Sequence, residues 1–192
     1  MCIRDSSPPF VRRALKTDPT QPLELTDATP NGYAYASYGY MATGPTDIYW
    51  VNAAAVMKAP KSMAQIELLL AAPAPPRAIV RDDDGLWVVF GGDIYAVSED
   101  GSSASPIAVM QMAYPPESSL FMGIATDATH VYWPADVDEG ASSGRIVKRA
   151  KPPAETEPVV LATDQTAPIG VAVDETHVYW ANADGTIYRV AK

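Results

Sequence analysis

His130 and His177 are the only histidines among 192 residues, and they occupy the same place in a repeated segment. The repeat reads "GIATDATHVYW" over 123–133 and "GVAVDETHVYW" over 170–180. Imidazole offers general acid–base chemistry or metal ligation. Catalysis needs unlike groups converging on one point, and equivalent positions in successive repeats do not converge unless both face a common axis. The reading adopted is structural: each His opens a strand and bonds a turn. Asp127 and Asp174 recur three residues earlier. A carboxylate there accepts backbone N–H bonds and holds a hairpin turn, helped by Thr129 and Thr176. Calcium ligation is the alternative.

Other polar groups are weighed the same way. Arg81–Gly85 ("RDDDG") carries three contiguous carboxylates, whereas a calcium loop alternates them. A solvated turn is expected. Pro134–Gly144 ("PADVDEGASSG") departs from the repeat by insertion, and insertions in repeat proteins often fall on a binding face. Its Asp136, Asp138 and Glu139 are candidates for a cation or a basic partner; a surface insertion without a role is the competing reading. Tyr33, Tyr35, Tyr38 and Tyr40 cluster in "GYAYASYGY". They could stack a sugar or peptide, although ordinary strand packing is preferred. Walker A, G-x-G-x-x-G, H-E-x-x-H and C-x-x-C patterns are absent. No catalytic residue and no metal site is nominated.

Those residues must be held by a scaffold, and composition bounds it. The chain is 47% hydrophobic, enough for a sizeable core. Eighteen Pro and twelve Gly suit short elements joined by frequent turns. A net charge of −9 repels phosphate backbones, which argues against nucleic acid. The longest apolar run, "IELLLAAPAPP", is too short and too Pro-rich to span a bilayer. Cys2 is the single cysteine, so no internal disulfide forms. "MCIRDS" resembles a sequencing adapter translated in frame. Residues 1–9 are therefore expected to be a disordered or artefactual start, with any signal region lost.

The four tryptophans, Trp50, Trp87, Trp133 and Trp180, are spaced by 37, 46 and 47 residues. Each lies in a short apolar run: "DIYWV", "GLWVVF", "HVYWP" or "HVYWA". An apolar run and a polar turn precede it. A second run follows ("AVMKAP", "DIYAVS", "RIVKRAK", "TIYRVAK"), then a third ("AQIELLLA", "SPIAVMQMA", "EPVVLAT") that the last repeat lacks. Runs rich in Val, Ile, Tyr and Trp between Gly, Pro and Asp are β-strands. Four-strand units at this period are propeller blades. The expectation is all-β: about four four-stranded antiparallel blades, an arc of a propeller of about six to eight blades. Blades are placed near 32–70, 77–112, 121–162 and 168–191, after a partial blade at 10–28, the propeller as a whole covering 10–192. The Trp residues, with Asp127 and Asp174, are assigned as structural repeat positions.

At "HVYW" the units resemble YWTD/NHL-type propellers and the related bacterial extracytoplasmic proteins with "GIAVD…VYW" repeats. The tetrapeptide YWTD itself is absent: Tyr49-Trp50, Tyr132-Trp133 and Tyr179-Trp180 keep its first half, and Leu86-Trp87 only the Trp. The resemblance implies a rigid disc used for binding, commonly outside the cytoplasm. The expected function is therefore a non-catalytic binding or scaffolding module of an exported protein, meeting a protein, peptide or carbohydrate ligand. Loops at one face nominate Asp93, Asp136, Asp138, Glu139 and Asp184 as contacts. The rival is an enzyme of the lactonase or lyase kind, holding calcium through groups such as Asn52, Asn182 and Asp184. A fragment without independent activity is the third reading.

Overall fold

The computed structural model describes residues 11–15, 18–25, 40–52, 54–62, 65–109, 123–135, 144–153 and 156–192. Every described element is a strand. No helix among the described residues is long and apolar enough to cross a membrane. Two compact units, Met1–Pro76 and Arg77–Lys192, divide the chain.

In the first unit, β1 (Val11–Leu15) and β2 (Asp18–Leu25) form a two-stranded ribbon. Blade 1 follows, with β3 (Met41–Thr43), β4 (Asp47–Val51), β5 (Ala55–Pro60) and β6 (Glu67–Ala71) in sequential antiparallel order. Trp50 pairs with Met41 on one side and Met57 on the other, so all three side chains share a face. Trp50, Ala55, Met57 and Ala59 form its buried cluster.

The second unit opens with blade 2: β7 (Pro76–Asp82), β8 (Gly85–Phe90), β9 (Asp93–Val97) and β10 (Ala104–Val109). Blade 3 comprises β11 (Ala125–Thr126), β12 (His130–Ala135), β13 (Gly144–Ala150) and β14 (Val159–Gln165). Blade 4 has β15 (Pro168–Val173), β16 (His177–Asn182) and β17 (Ile187–Ala191). Each sheet keeps its strands in chain order. The architecture is all-β and built of propeller blades, as the repeat anticipates.

The packing explains why the second strand of each blade is so apolar. All six residues of β8 are buried, and so are five of six in β12. A strand covered on both faces loses the polar-out alternation of a half-exposed sheet. β16 differs, with buried residues at every second position. Its Val178 and Trp180 pack with Tyr132 and Ile146 of blade 3 in one cluster, with Val171, Val173 and Val190 around them. The first strands also meet: Gly123 N, just before β11, donates to Ile169 O of β15 at 3.1 Å.

Candidate functional site

Asp127 stands in the turn between β11 and β12, and both its oxygens are engaged. Oδ1 accepts from Thr129 N (2.8 Å), His130 N (2.9 Å) and the Thr129 hydroxyl (3.2 Å). Oδ2 accepts from the Tyr132 hydroxyl and from the Lys192 ammonium, each at 2.7 Å. Partial burial raises the carboxyl's pKa, but the bonds from Lys192, Thr129 and Tyr132 outweigh it and hold the group well below the usual carboxylate range. Burial, then Asp127 itself, pushes the Tyr132 hydroxyl up.

Blade 4 repeats the turn. Asp174 Oδ1 accepts from Thr176 N and His177 N at 2.7 Å and from the Thr176 hydroxyl at 3.2 Å. Its Oδ2 accepts from the Tyr179 hydroxyl at 2.8 Å. Each His places Nδ1 2.7 Å from the neighbouring Thr oxygen, Thr129 or Thr176. Burial and the Lys148 charge lower the His130 pKa.

Asp82 is the blade 2 version. Its Oδ2 accepts from Trp87 Nε1 and lies 2.7 Å from Lys151 Nζ, while Asp84 takes the same ammonium at 2.8 Å. Burial opposes the Lys151 charge, but the bonds to Asp82 and Asp84 win and its pKa is raised. The turn expected to be merely solvated is therefore an anchor: Asp82 and Asp84, the second and fourth residues of "RDDDG", hold a buried lysine of the next blade. Each lysine also lies over the aromatic ring that shares its carboxylate. Lys151 is 5.3 Å from the Trp87 centroid and Lys192 is 5.7 Å from that of Tyr132.

These bonds revise the alignment of the tryptophans. Trp87 follows Asp82 by five residues, as Tyr132 follows Asp127 and Tyr179 follows Asp174. It stands where the other blades carry Tyr, and Val88 stands at the Trp position. The substitution is accommodated because indole N–H and phenol O–H both reach the same carboxylate oxygen. All four indoles are buried. What reading by repeat missed was the lysine: Lys151 and Lys192 each directly follow the third strand of a blade, a recurrence visible in "KRAK" and "RVAK".

A cleft of about 640 Å³ opens between the turns of blades 3 and 4, lined in part by Asp127, Asp174, Glu175 and Lys192. Of the contacts nominated at the loops, Asp93 and Asp184 lie among the described residues. Asp184 spends Oδ1 on Thr186 N (2.9 Å) and the Thr186 hydroxyl (2.6 Å). Asp93 opens β9 opposite Phe90. Asp136, Asp138 and Glu139 lie outside the described residues, as do Tyr33, Tyr35 and Tyr38. Asn52 Oδ1 accepts from Ala54 N at 3.0 Å. Asn182 is buried, with Nδ2 3.4 Å from Gln165 Oε1 and no partner for Oδ1 among the described residues. Among those residues no three of His, Cys, Asp and Glu come together to hold a metal.

Within the inserted hairpin, Gly140–Gly144 spells G-x-S-x-G around Ser142. A nucleophile elbow requires a strand, a sharp turn and a helix. Here the flanking elements are the antiparallel strands β12 and β13, so the required context is missing.

No protein-family model and no curated protein matches the chain. Solved structures do. A chain in the crystal structure of a nidogen/laminin complex aligns with TM-score 0.65 and 18% identity, over 89% of this chain and 64% of that one. A puromycin-hydrolyzing peptidase from Mycobacterium tuberculosis aligns with TM-score 0.60 and 15% identity, over 90% of this chain and 32% of the other. BamB from Moraxella catarrhalis gives 0.56 and 11%, over 80% and 43%. The chain thus spans less than two thirds of the length of each. The likeness shows the β-propeller fold.

Proposed function

We propose that this chain is a non-catalytic binding or scaffolding propeller module, belonging to an exported protein and recognising a protein, peptide or carbohydrate. The observation that carries the reading is the use of the recurring polar groups. Asp127 accepts five hydrogen bonds from its own turn, its own tyrosine and the adjacent blade. Its neighbour His130 is tied to Thr129. A carboxylate so occupied, with a strongly depressed pKa, is a poor general base, whose pKa should lie near the working pH. The repeated chemistry is spent on holding blades in place, which suits a rigid support for variable loops. The neighbouring folds include a chain from a nidogen/laminin complex, which adds support for a role in protein association.

The test pairs two assays on the purified chain. A panel of lactones, esters and peptidyl substrates, with and without millimolar calcium, should show no turnover above buffer. Peptide-display and glycan arrays should yield saturable binding. Replacing Asp136, Asp138 and Glu139 by Asn, Asn and Gln should weaken that binding without altering the circular dichroism. Calcium-dependent turnover would overturn the reading.

A further inference from the structure

Among the described residues, blades 1 to 3 each carry a fourth strand beside the third, whereas β17, the third strand of blade 4, pairs only with β16. No described strand lies along its outer row of N–H and C=O groups, the arrangement of an open sheet edge. Two large side chains stand exposed on it, Ile187 at 75% and Tyr188 at 48%. Tyr188 pairs with Trp180 and stacks on it, so it lies on the face turned to blade 3. That face already has its neighbouring blade, and the cover that Tyr188 lacks is lateral. Its equivalents Met57 and Val147, each paired with the Trp of its own blade and flanked by a fourth strand, are buried.

The three fourth strands that are present show what fits such an edge. Aligned on the Trp position, they bulge at one and the same place. Between the partners of Met57 and Val56 the outer strand skips Leu69; between those of Tyr95 and Ile94 it skips Ile107; between those of Val147 and Ile146 it skips Leu161. The extra residue is a large aliphatic each time. Ile107 is buried, and Leu161 packs against the cluster of Tyr132, Ile146, Val178 and Trp180. The segments read ELLLA over 67–71, SPIAV over 105–109 and VVLAT over 159–163, with that aliphatic third. The first residue of each stands opposite the third-strand residue that pairs with Tyr49, Trp87 or Tyr132; in blade 1 it is Glu67, opposite Lys58. In blade 4 the third-strand place belongs to Arg189, which pairs with Tyr179, bonds its hydroxyl and is exposed. Opposite charges facing each other on neighbouring strands stabilise the pairing.

We propose that the edge of β17 is a binding site for an extended segment of another polypeptide, added antiparallel as a fourth strand. The segment carries an acidic residue opposite Arg189, an apolar residue opposite Tyr188, and then a Leu or Ile at the bulge beside Ile187. Main-chain bonds to β17 supply affinity, and the side-chain pattern supplies the register. The site uses none of Asp136, Asp138 and Glu139, so its failure leaves the reading of those loop residues standing, and theirs leaves this one.

The probe is a capped peptide of residues 157–165 carrying Val159→Glu, which has the acid, Val160 and the bulged Leu161 in the required order. Fluorescence anisotropy of the labelled peptide should show saturable binding to the intact chain. Hydrogen exchange should slow in 187–191 and stay unchanged on the outer strands β6, β10 and β14. Leu161→Ser in the peptide, or N-methylation of the alternate residues whose N–H groups face β17, should weaken binding at least tenfold. Arg189→Glu in the chain, at an exposed position, should do the same with circular dichroism unchanged, and a peptide carrying Val159→Lys in place of the Glu should recover the loss. Absence of binding at up to about 1 mM peptide, a very weak affinity, would overturn the proposal. So would protection confined to other strands, or binding indifferent to N-methylation or to the charge exchange at Arg189.

Discussion

Lys192 Nζ and Asp127 Oδ2 lie 2.7 Å apart although they belong to different blades and are separated by 65 residues. Lys151 and Asp82 do the same one blade earlier, also at 2.7 Å. In both cases a lysine after the third strand of one blade closes on the first turn of the blade before it. The aromatic ring that bonds the same carboxylate lies beneath the ammonium. These two ion-paired contacts between successive blades in the second unit are thus one device written twice: an ion pair, a cation–π contact and a hydrogen-bonded turn sharing a single aspartate.

The two copies should not be equally strong. Lys151 is 7% exposed and satisfies two carboxylates, so removing it strands negative charge in a partly buried place. Breaking a fully buried pair costs about 3–5 kcal/mol, and the exposure of Asp84 reduces that to roughly 2–3 kcal/mol for Lys151→Met. The Lys192 and Asp127 side chains are 19% and 21% exposed, and Lys192→Met should cost about 1 kcal/mol after solvent screening. Urea midpoints of the two variants decide it. Equal losses would mean that burial does not set the difference.

Trp87 should tolerate Tyr better than Phe, against the order expected from hydrophobicity alone. The phenol hydroxyl at the same position of blades 3 and 4 reaches the aspartate five residues back at 2.7 and 2.8 Å. W87Y should therefore keep a bond to Asp82 that W87F loses, a difference of about 1 kcal/mol. Thermal denaturation of both variants measures it, and a W87F at least as stable as W87Y would refute the shared position.

Much of this was legible in the sequence, and what was not has a physical cause. The strands were readable because "LWVVF" and "VYW" are apolar runs, which suit a strand covered on both faces, as β8 and β12 are; β16 carries the same "VYW" with every second residue buried. The Asp127 and Asp174 turns were readable because Thr follows each by two. The lysines were not, since a charged residue at a strand end reads as solvated until the adjacent blade is seen beside it. Trp87 misled for a related reason. Alignment by residue type places it with the other indoles, whereas alignment by hydrogen bond to Asp82 places it with the tyrosines.

Acid should weaken the fold in a defined window. The folded-state pKa values of Asp82 and Asp127 are depressed, despite burial, by their lysine and hydrogen-bond partners. A carboxyl lowered on folding binds fewer protons in the folded state. Its stabilisation is complete above the unfolded value near 4 and is lost as pH falls toward the folded value. Lys151 is shifted the other way, and its contribution is complete below about 10 and lost as pH rises beyond that. Urea midpoints should be level between these limits apart from a small His130 contribution, lost as pH falls below about 6.5 because its folded pKa is lowered. Asp127→Asn should flatten the acid limb; an unchanged limb would place the titrating group elsewhere.

The two equivalent glycines should respond in opposite directions to the same substitution. At Gly123 a methyl group would lie 2.6 Å from Val171 N and 2.7 Å from Gly170 Cα, both backbone atoms that cannot move aside without parting β11 from β15. The Gly123 N to Ile169 O bond would be strained with them. G123A should therefore destabilise by roughly 1–3 kcal/mol, the usual cost of overpacking. At Gly170 the added methyl meets nothing, and restricting the unfolded chain should stabilise by about 0.4–1 kcal/mol. Urea midpoints of both variants measure the two shifts. If G170A is as damaging as G123A, the face beyond β15 is already covered within a single chain.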